Sequence, residues 1–187
     1  MNNQFAGWLG EKATAWGLSQ SLDPRLYRRI DDLIVPNGEG GTTQIDHVII
    51  SVFGIFVLEV KNRNGLIIGA PNDTIWRQIS GNHAYKFQNP IEQNHGHIAA
   101  LSRLLGFRPS FFHSIIFFCG QVIFQSKMPF HVRRDGVTTV IRTKSTEILW
   151  PDEVQYARDR LLACKTDRSL TLERHLHYVS NLRHHAT

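Results

Sequence analysis

Two stretches decide the reading of this chain: Thr43-Gln44-Ile45-Asp46-His47-Val48-Ile49-Ile50-Ser51 and Ile55-Phe56-Val57-Leu58-Glu59-Val60-Lys61-Asn62. Both are rich in β-branched and aromatic residues and almost continuously apolar, the pattern of strands buried on both faces. Ser51 and Gly54 bracket a tight connection, which predicts a β-hairpin. A hairpin symmetric about Val52 and Phe53 sets Asp46 directly opposite Glu59, with Cβ atoms ~5 Å apart. A one-residue change in loop length would break that register. Alternation puts Lys61 on the same face as Glu59 and His47 on the opposite face from Asp46.

Two carboxylates facing each other in an apolar sheet repel, and a buried acid without a partner is costly. Something cationic must compensate. Lys61 offers one charge and a divalent ion offers two; a small, incomplete set of oxygen ligands suits Mg²⁺ or Mn²⁺. The alternative is a buried ion pair of Glu59 with Lys61, with Asp46 at the sheet edge.

The surrounding chain is ordinary in composition. Its 187 residues fit one domain, and 42% hydrophobic content with 20% charged argues against disorder. Cys119 and Cys164 are too few for a disulfide framework or a tetrathiolate zinc site. A net charge of +5 favours a polyanionic partner, though weakly. The start lacks the cationic and apolar regions of a signal peptide. The uncharged span Pro109 to Ser126 is interrupted by His113, Gly120, Gln121 and Gln125, so a soluble, cytoplasmic protein without a membrane span is expected.

Outward from the hairpin, a first helix is predicted over about 4–19, with Phe5, Leu9, Ala13 and Trp16 as its buried stripe. A second line, Trp8, Glu11, Ala15 and Leu18, is apolar except for Glu11, which is either a surface acid or a functional one. A strand is expected over 26–35, and short strands over 65–70 and 74–80. Asn89 as N-cap, Pro90 at the first position, Glu92 in the first turn and Gly106 as terminator mark the next helix, with Ile91, Ile98, Leu101 and Leu105 facing the core. Strands over 113–119, 122–125 and 137–142 are expected to return to the sheet. Pro151 opens a helix with Val154, Ala157, Leu161 and Cys164 on one face. A last helix carries Leu172, Leu176, Val179 and Leu182. The sum is one α/β domain with a helical C-terminal extension.

A helix acid, then Asp, a hairpin and Glu-x-Lys resembles the active-site order of the PD-(D/E)XK nuclease superfamily. The chain is most similar to its NERD (nuclease-related) domain branch, over Gly10-Glu11, residues 43–47, 54–62 and Gly65, with Trp76, Asn89-Pro90 and Gln93 extending the match. The likeness covers about 8–125. It implies a restriction-endonuclease-like fold, a mixed β-sheet core flanked by helices, and a nuclease that hydrolyses DNA phosphodiesters through in-line attack of a metal-activated water. On that resemblance Asp46 and Glu59 hold Mg²⁺ or Mn²⁺, with the Val60 carbonyl as a further ligand and Glu11 supporting the same site. Lys61 orients or deprotonates the water and stabilises the growing charge. DNA is the implied substrate, with RNA left open. The alternative is a non-catalytic nucleic-acid-binding module that keeps the fold.

Gln93 matches the helix glutamine and lies with His97, Ala100 and Leu104 on a second helix face; its amide either bonds a water or phosphate or is an ordinary first-turn residue. His95 and His97 diverge by ~200° around their helix and cannot chelate one ion. Arg63, Arg77 and Lys86 are candidates for tracking a phosphate backbone, with Lys127, Arg133, Arg134, Arg142 and Lys144 as a later cluster. Trp76 reads as core rather than as a base-stacking ring. Residues 126–187 lie outside the motifs and are open to three roles: dimerisation or a partner contact, clamping of DNA, or capping of the sheet.

Overall fold

The computed structural model describes residues 3–167 and 170–184, and of 3–9, 11 and 182–184 the backbone alone. In chain order it runs α1 (Asn3–Ser21), β1 (Arg28–Pro36), β2 (Thr42–Ser51), β3 (Gly54–Lys61), β4 (Gly65–Ile68), β5 (Ile75–Ser80), β6 (His83–Gln88) and α2 (Pro90–Leu105). After a 3-10 turn at Pro109–Phe111 come β7 (Phe112–Phe118), β8 (Val122–Phe124), β9 (Val132–Arg133), α3 (Val137–Arg142), α4 (Pro151–Thr166) and α5 (Leu172–His184).

The hairpin forms as the sequence predicts: His47 pairs with Leu58, Val48 with Val57, and Ser51 with Gly54. Gly54 closes the turn at φ 118, where a Cβ would lie 2.8 Å from the His113 ring and 2.9 Å from the Phe111 carbonyl, so only glycine fits. β1, β2 and β3 pair antiparallel, and β7 and β9 extend the sheet in parallel, giving the order β1-β2-β3-β7-β9. This mixed sheet is covered on both sides. On one face Val48, Ile50, Ile55 and Val57 pack with Leu101 and Leu105 of α2 and Ala157 and Leu161 of α4. On the other, Ile49, Phe56 and Leu58 pack with Leu18 of α1, Leu22 just beyond it, and Val140 and Ile141 of α3. Two-sided cover is why these strands read as nearly unbroken apolar runs. The result is a restriction-endonuclease-like α/β fold with helices at its C-terminal end.

α2 obeys its local signals. The Asn89 side chain accepts the Ile91 N–H at 2.9 Å, and Gly106 ends the helix. Asn94 then donates to the Val57 carbonyl at 2.9 Å and to the Ser114 hydroxyl at 2.8 Å, pinning the helix across β3 and β7. Trp76 is fully buried, as expected of a core residue, and its indole donates to the Ala70 carbonyl.

Several sequence expectations are overturned. Residues 137–142 form helix α3, not a strand: Val137, Val140 and Ile141 are buried at helical spacing, and the β-branched composition misled. The strands do not all return to one sheet, because β8 joins β4, β5 and β6 in a second, four-stranded sheet. β6 and the two-residue β9 carry no clear sequence pattern; β6 is exposed and polar along most of its length. Among the described side chains of α1, Ala15 and Leu18 are buried, as is Leu22 just beyond it, whereas Trp16 is 70% exposed; Phe5 and Leu9 lie outside the described side chains. In α5, Leu172 and Leu176 are exposed and His175 is buried, and Leu182 lies outside the described side chains.

Candidate active site

Asp46, Glu59 and Lys61 share the face of the sheet that α2 covers, at the end of the hairpin remote from its turn. The β2–β3 ladder runs from the turn to His47 opposite Leu58 and stops there. Continued by one step it would place Asp46 opposite Glu59, and by two, Ile45 opposite Val60. Instead the Val60 N–H donates to Asp46 Oδ2 at 2.7 Å. The strands part at this point, and a side chain takes the place of a backbone partner. Because the N–H and C=O of one strand residue point to the same edge, the Val60 carbonyl faces the same parting.

β1 is irregular at the same level. Asp31 pairs with His47 and Leu33 with Ile45, but Asp32 between them has φ 52, a left-handed conformation uncommon outside glycine. The His47 ring bonds Asp31 Oδ1 at 2.8 Å, and the Asp31 carboxyl is held below its usual value: burial pushes it up, and His47, Arg29 and Lys165 outweigh that.

Glu59 is buried and both its oxygens are engaged. Lys61 Nζ lies 2.5 Å from Oε1 and His97 Nε2 lies 3.1 Å from Oε2. Burial would raise its pKa, but the Lys61 charge and the His97 hydrogen bond prevail and lower it, so the carboxylate is ionised. Lys61 also donates to Gln93 Oε1 at 2.9 Å. Since a carboxylate only accepts, His97 donates from Nε2, and the Thr43 hydroxyl lies 2.9 Å from Nδ1 within hydrogen-bond reach. Gln93 and His97, one turn apart on α2, thus meet Lys61 and Glu59, two apart on β3. The ion-pair half of the alternative reading is therefore present, but Asp46 is tied into β3 rather than stranded at an edge.

The backbone of Glu11 is bracketed by two contacts. A Cβ on Gly10 would lie 2.6 Å from Cys119 Sγ and 3.0 Å from Asn62 Cβ, one residue beyond Lys61, and Lys12 Nζ lies 3.3 Å from Asp32 Oδ2. Its side chain lies outside the described residues. Among the described residues no group of three or more His, Cys, Asp or Glu is arranged to hold a metal ion. The donor types nonetheless suit a hard divalent cation: two carboxylates on one face of the sheet and a strand carbonyl lie where the ladder stops.

Beside Asp46 lies a cavity of about 740 Å³, lined also by Gln93 and His97 and by His175 and Tyr178 of α5. α5 is seated there by His175 Nδ1 on the Thr42 hydroxyl at 2.8 Å and by Asn37 donating to the Tyr178 hydroxyl at 3.0 Å. Burial, with the nearby His97, lowers the His175 pKa. The predicted basic residues lie elsewhere. Arg63 donates to Gln78 and lies 4.4 Å from the Phe87 ring centre, while Arg77 and Lys86 are exposed and directly paired across β5 and β6. Neither His97 nor Thr43 carries a role that its sequence neighbours alone reveal. The spacing of His97 from Gln93 was visible, but its Glu59 partner is distant in the chain.

A mixed sheet whose parted hairpin carries Asp46, Glu59 and Lys61 beneath a glutamine-bearing helix places the molecule among restriction-endonuclease-like α/β proteins. Residues 6–119 match the nuclease-related domain family, NERD, and the chain belongs to that family, within the PD-(D/E)XK-like nuclease superfamily. It is also similar to a Bacillus anthracis protein described only as uncharacterized, 39% identical over 102 residues, or 54% of this chain and 48% of that one. The chain thus spans about half the length of that curated relative. No solved structure matches it. Among the described residues no helix is long and apolar enough to cross a membrane.

Proposed function

We propose that this chain is a divalent-metal-dependent nuclease that hydrolyses DNA phosphodiesters. The observation that carries the reading is the Asp46–Val60 bond at the mouth of the hairpin, beside an ionised Glu59. Asp46, Glu59 and the Val60 carbonyl would hold Mg²⁺ or Mn²⁺, with Glu11 in support. Such an ion supplies charge neutralisation at phosphate and lowers the pKa of a neighbouring water.

The remaining work falls to the protein. Glu59 and Gln93 occupy two of the three Lys61 hydrogens, and the ammonium group uses the third to orient the attacking water or a phosphate oxygen. Water attacks phosphorus in line, the P–O3′ bond breaks, and 5′-phosphate and 3′-hydroxyl ends result. Arg63, Arg77 and Lys86 contribute to the grip on the backbone, and their charge makes binding salt-sensitive.

A second reading, a non-catalytic nucleic-acid-binding domain, is favoured by one observation: Glu59 is already compensated by Lys61 and His97 without a cation. Incubating purified protein with single- and double-stranded DNA and RNA in Mg²⁺ or Mn²⁺ separates the two. Cleavage that is lost in Asp46→Ala supports the nuclease. Metal-independent binding with no cleavage of any substrate supports the module.

A further inference from the structure

Beyond the last ladder pair, His47 with Leu58, side chains of the described residues tie β2 to β3. One tie is Asp46 on Val60. A second runs from Thr43 on β2 through the His97 ring on α2 to Glu59 on β3. This second tie crosses the parting in which both acids sit. We propose that His97 is a positioning residue that sets the orientation of Glu59 and its spacing from Asp46, with Thr43 holding the ring at its other nitrogen. The inference rests on the nuclease reading and deepens it.

The physical need is specific. Rotation of a carboxylate about its last torsion is soft, with broad, roughly two-fold minima. Lys61 restrains one oxygen, but its ammonium sits on a flexible four-carbon stem and is itself partly exposed. A planar ring, 3% exposed and held at both nitrogens, restrains the other oxygen with far less freedom. The ring cannot swivel without giving up either Thr43 or Glu59. α2 in turn is fastened to β3 and β7 by Asn94, one turn before His97 on the same side of the helix, so the anchor point does not drift. Outer partners of this kind affect metal affinity by ~10–100-fold when removed.

The test is Mn²⁺ titration by calorimetry on wild type, His97→Ala, His97→Gln, Thr43→Val and His97→Ala/Thr43→Val, alongside cleavage rates. His97→Ala is expected to weaken Mn²⁺ binding ~10–100-fold. His97→Gln, which keeps an N–H at the reach of Nε2, recovers most of it. Thr43→Val weakens binding in wild type and adds nothing to His97→Ala, a non-additivity that a general loss of stability does not produce. If His97→Ala does not fold, the Gln and Val variants carry the same comparison. Wild type that binds Mn²⁺ with Thr43→Val and His97→Ala unchanged overturns the positioning role and spares the nuclease reading. Wild type that neither binds Mn²⁺ nor cleaves overturns both.

Discussion

Asp46 Oδ2 accepts the backbone N–H of Val60 at 2.7 Å, fourteen positions on and in the neighbouring strand. The carboxylate closes a gap in the sheet and lines a cavity, where under the proposed function it would also hold the metal. The two roles can be separated. Asp46→Asn keeps an acceptor for Val60 and is expected to melt near wild type, while Asp46→Ala orphans that N–H and loses ~1–3 kcal/mol. Both are expected to lose cleavage and the rise in melting temperature that Mn²⁺ gives the wild type. Thermal melts with and without Mn²⁺ read this directly; equal stability of the two variants would show that the bond contributes nothing.

Lys61→Met is expected to destabilise more than it would at a surface pair. It leaves Glu59, 3% exposed, with His97 as its remaining partner. Breaking a buried pair from one side costs ~3–5 kcal/mol, and His97 should hold the loss toward the lower end. Adding Glu59→Gln to Lys61→Met should restore part of it, because the uncompensated charge goes with the carboxylate. Urea unfolding of the four proteins in the cycle tests this, and additive losses count against it.

Stability should fall on acidification in two stages. Burial lowers the pKa of His113, His131 and His175, so the folded protein binds fewer protons than the unfolded chain just below the ordinary histidine value of ~6.5. Their contribution is complete above ~6.5 and is lost as pH falls through the folded values. Asp31 and Glu59, both lowered, contribute above the ordinary carboxylate range of ~4 and are lost as pH falls below it. The melting temperature should therefore decline steadily below about pH 6.5. A melting temperature that rises between pH 7 and pH 5 contradicts the assignment.

Gly10→Val should loosen α1 from the end of β3. A Cβ there would already lie 2.6 Å from Cys119 Sγ, and overpacking of this kind costs ~1–3 kcal/mol. If Glu11 supports the site, cleavage falls more steeply than stability. A matched substitution at Gly17, where a Cβ meets nothing within 4 Å, is the control.

Arg77→Ala and Lys86→Ala should each weaken DNA binding about equally across sequences and each reduce the slope of log affinity against log salt by ~1. An unchanged slope would remove the exposed face of β5 and β6 from the DNA path.

The near-continuous apolar runs on either side of Val52-Phe53, with glycine at 54, mark a hairpin, and its two-residue connection sets the register that turns Asp46 and Glu59 to one face. Asn89, Pro90 and Gly106 likewise define α2 within its own length. These are local constraints, written within a few residues of where they act, and the sequence determined them unaided. Other outcomes depended on partners far away in the chain. On α1 the line with Phe5 and Trp16 was expected to face the core, but Phe56 and Leu58 meet the line with Leu18 instead. The β-branched residues of α3 suit a strand, and only the second cover layer made them a helix. His97 looked like any helix histidine until folding brought Thr43 and Glu59 to its two nitrogens. Periodicity records which residues are apolar and how they are spaced, but not which surface they will meet; that was decided when the layers closed.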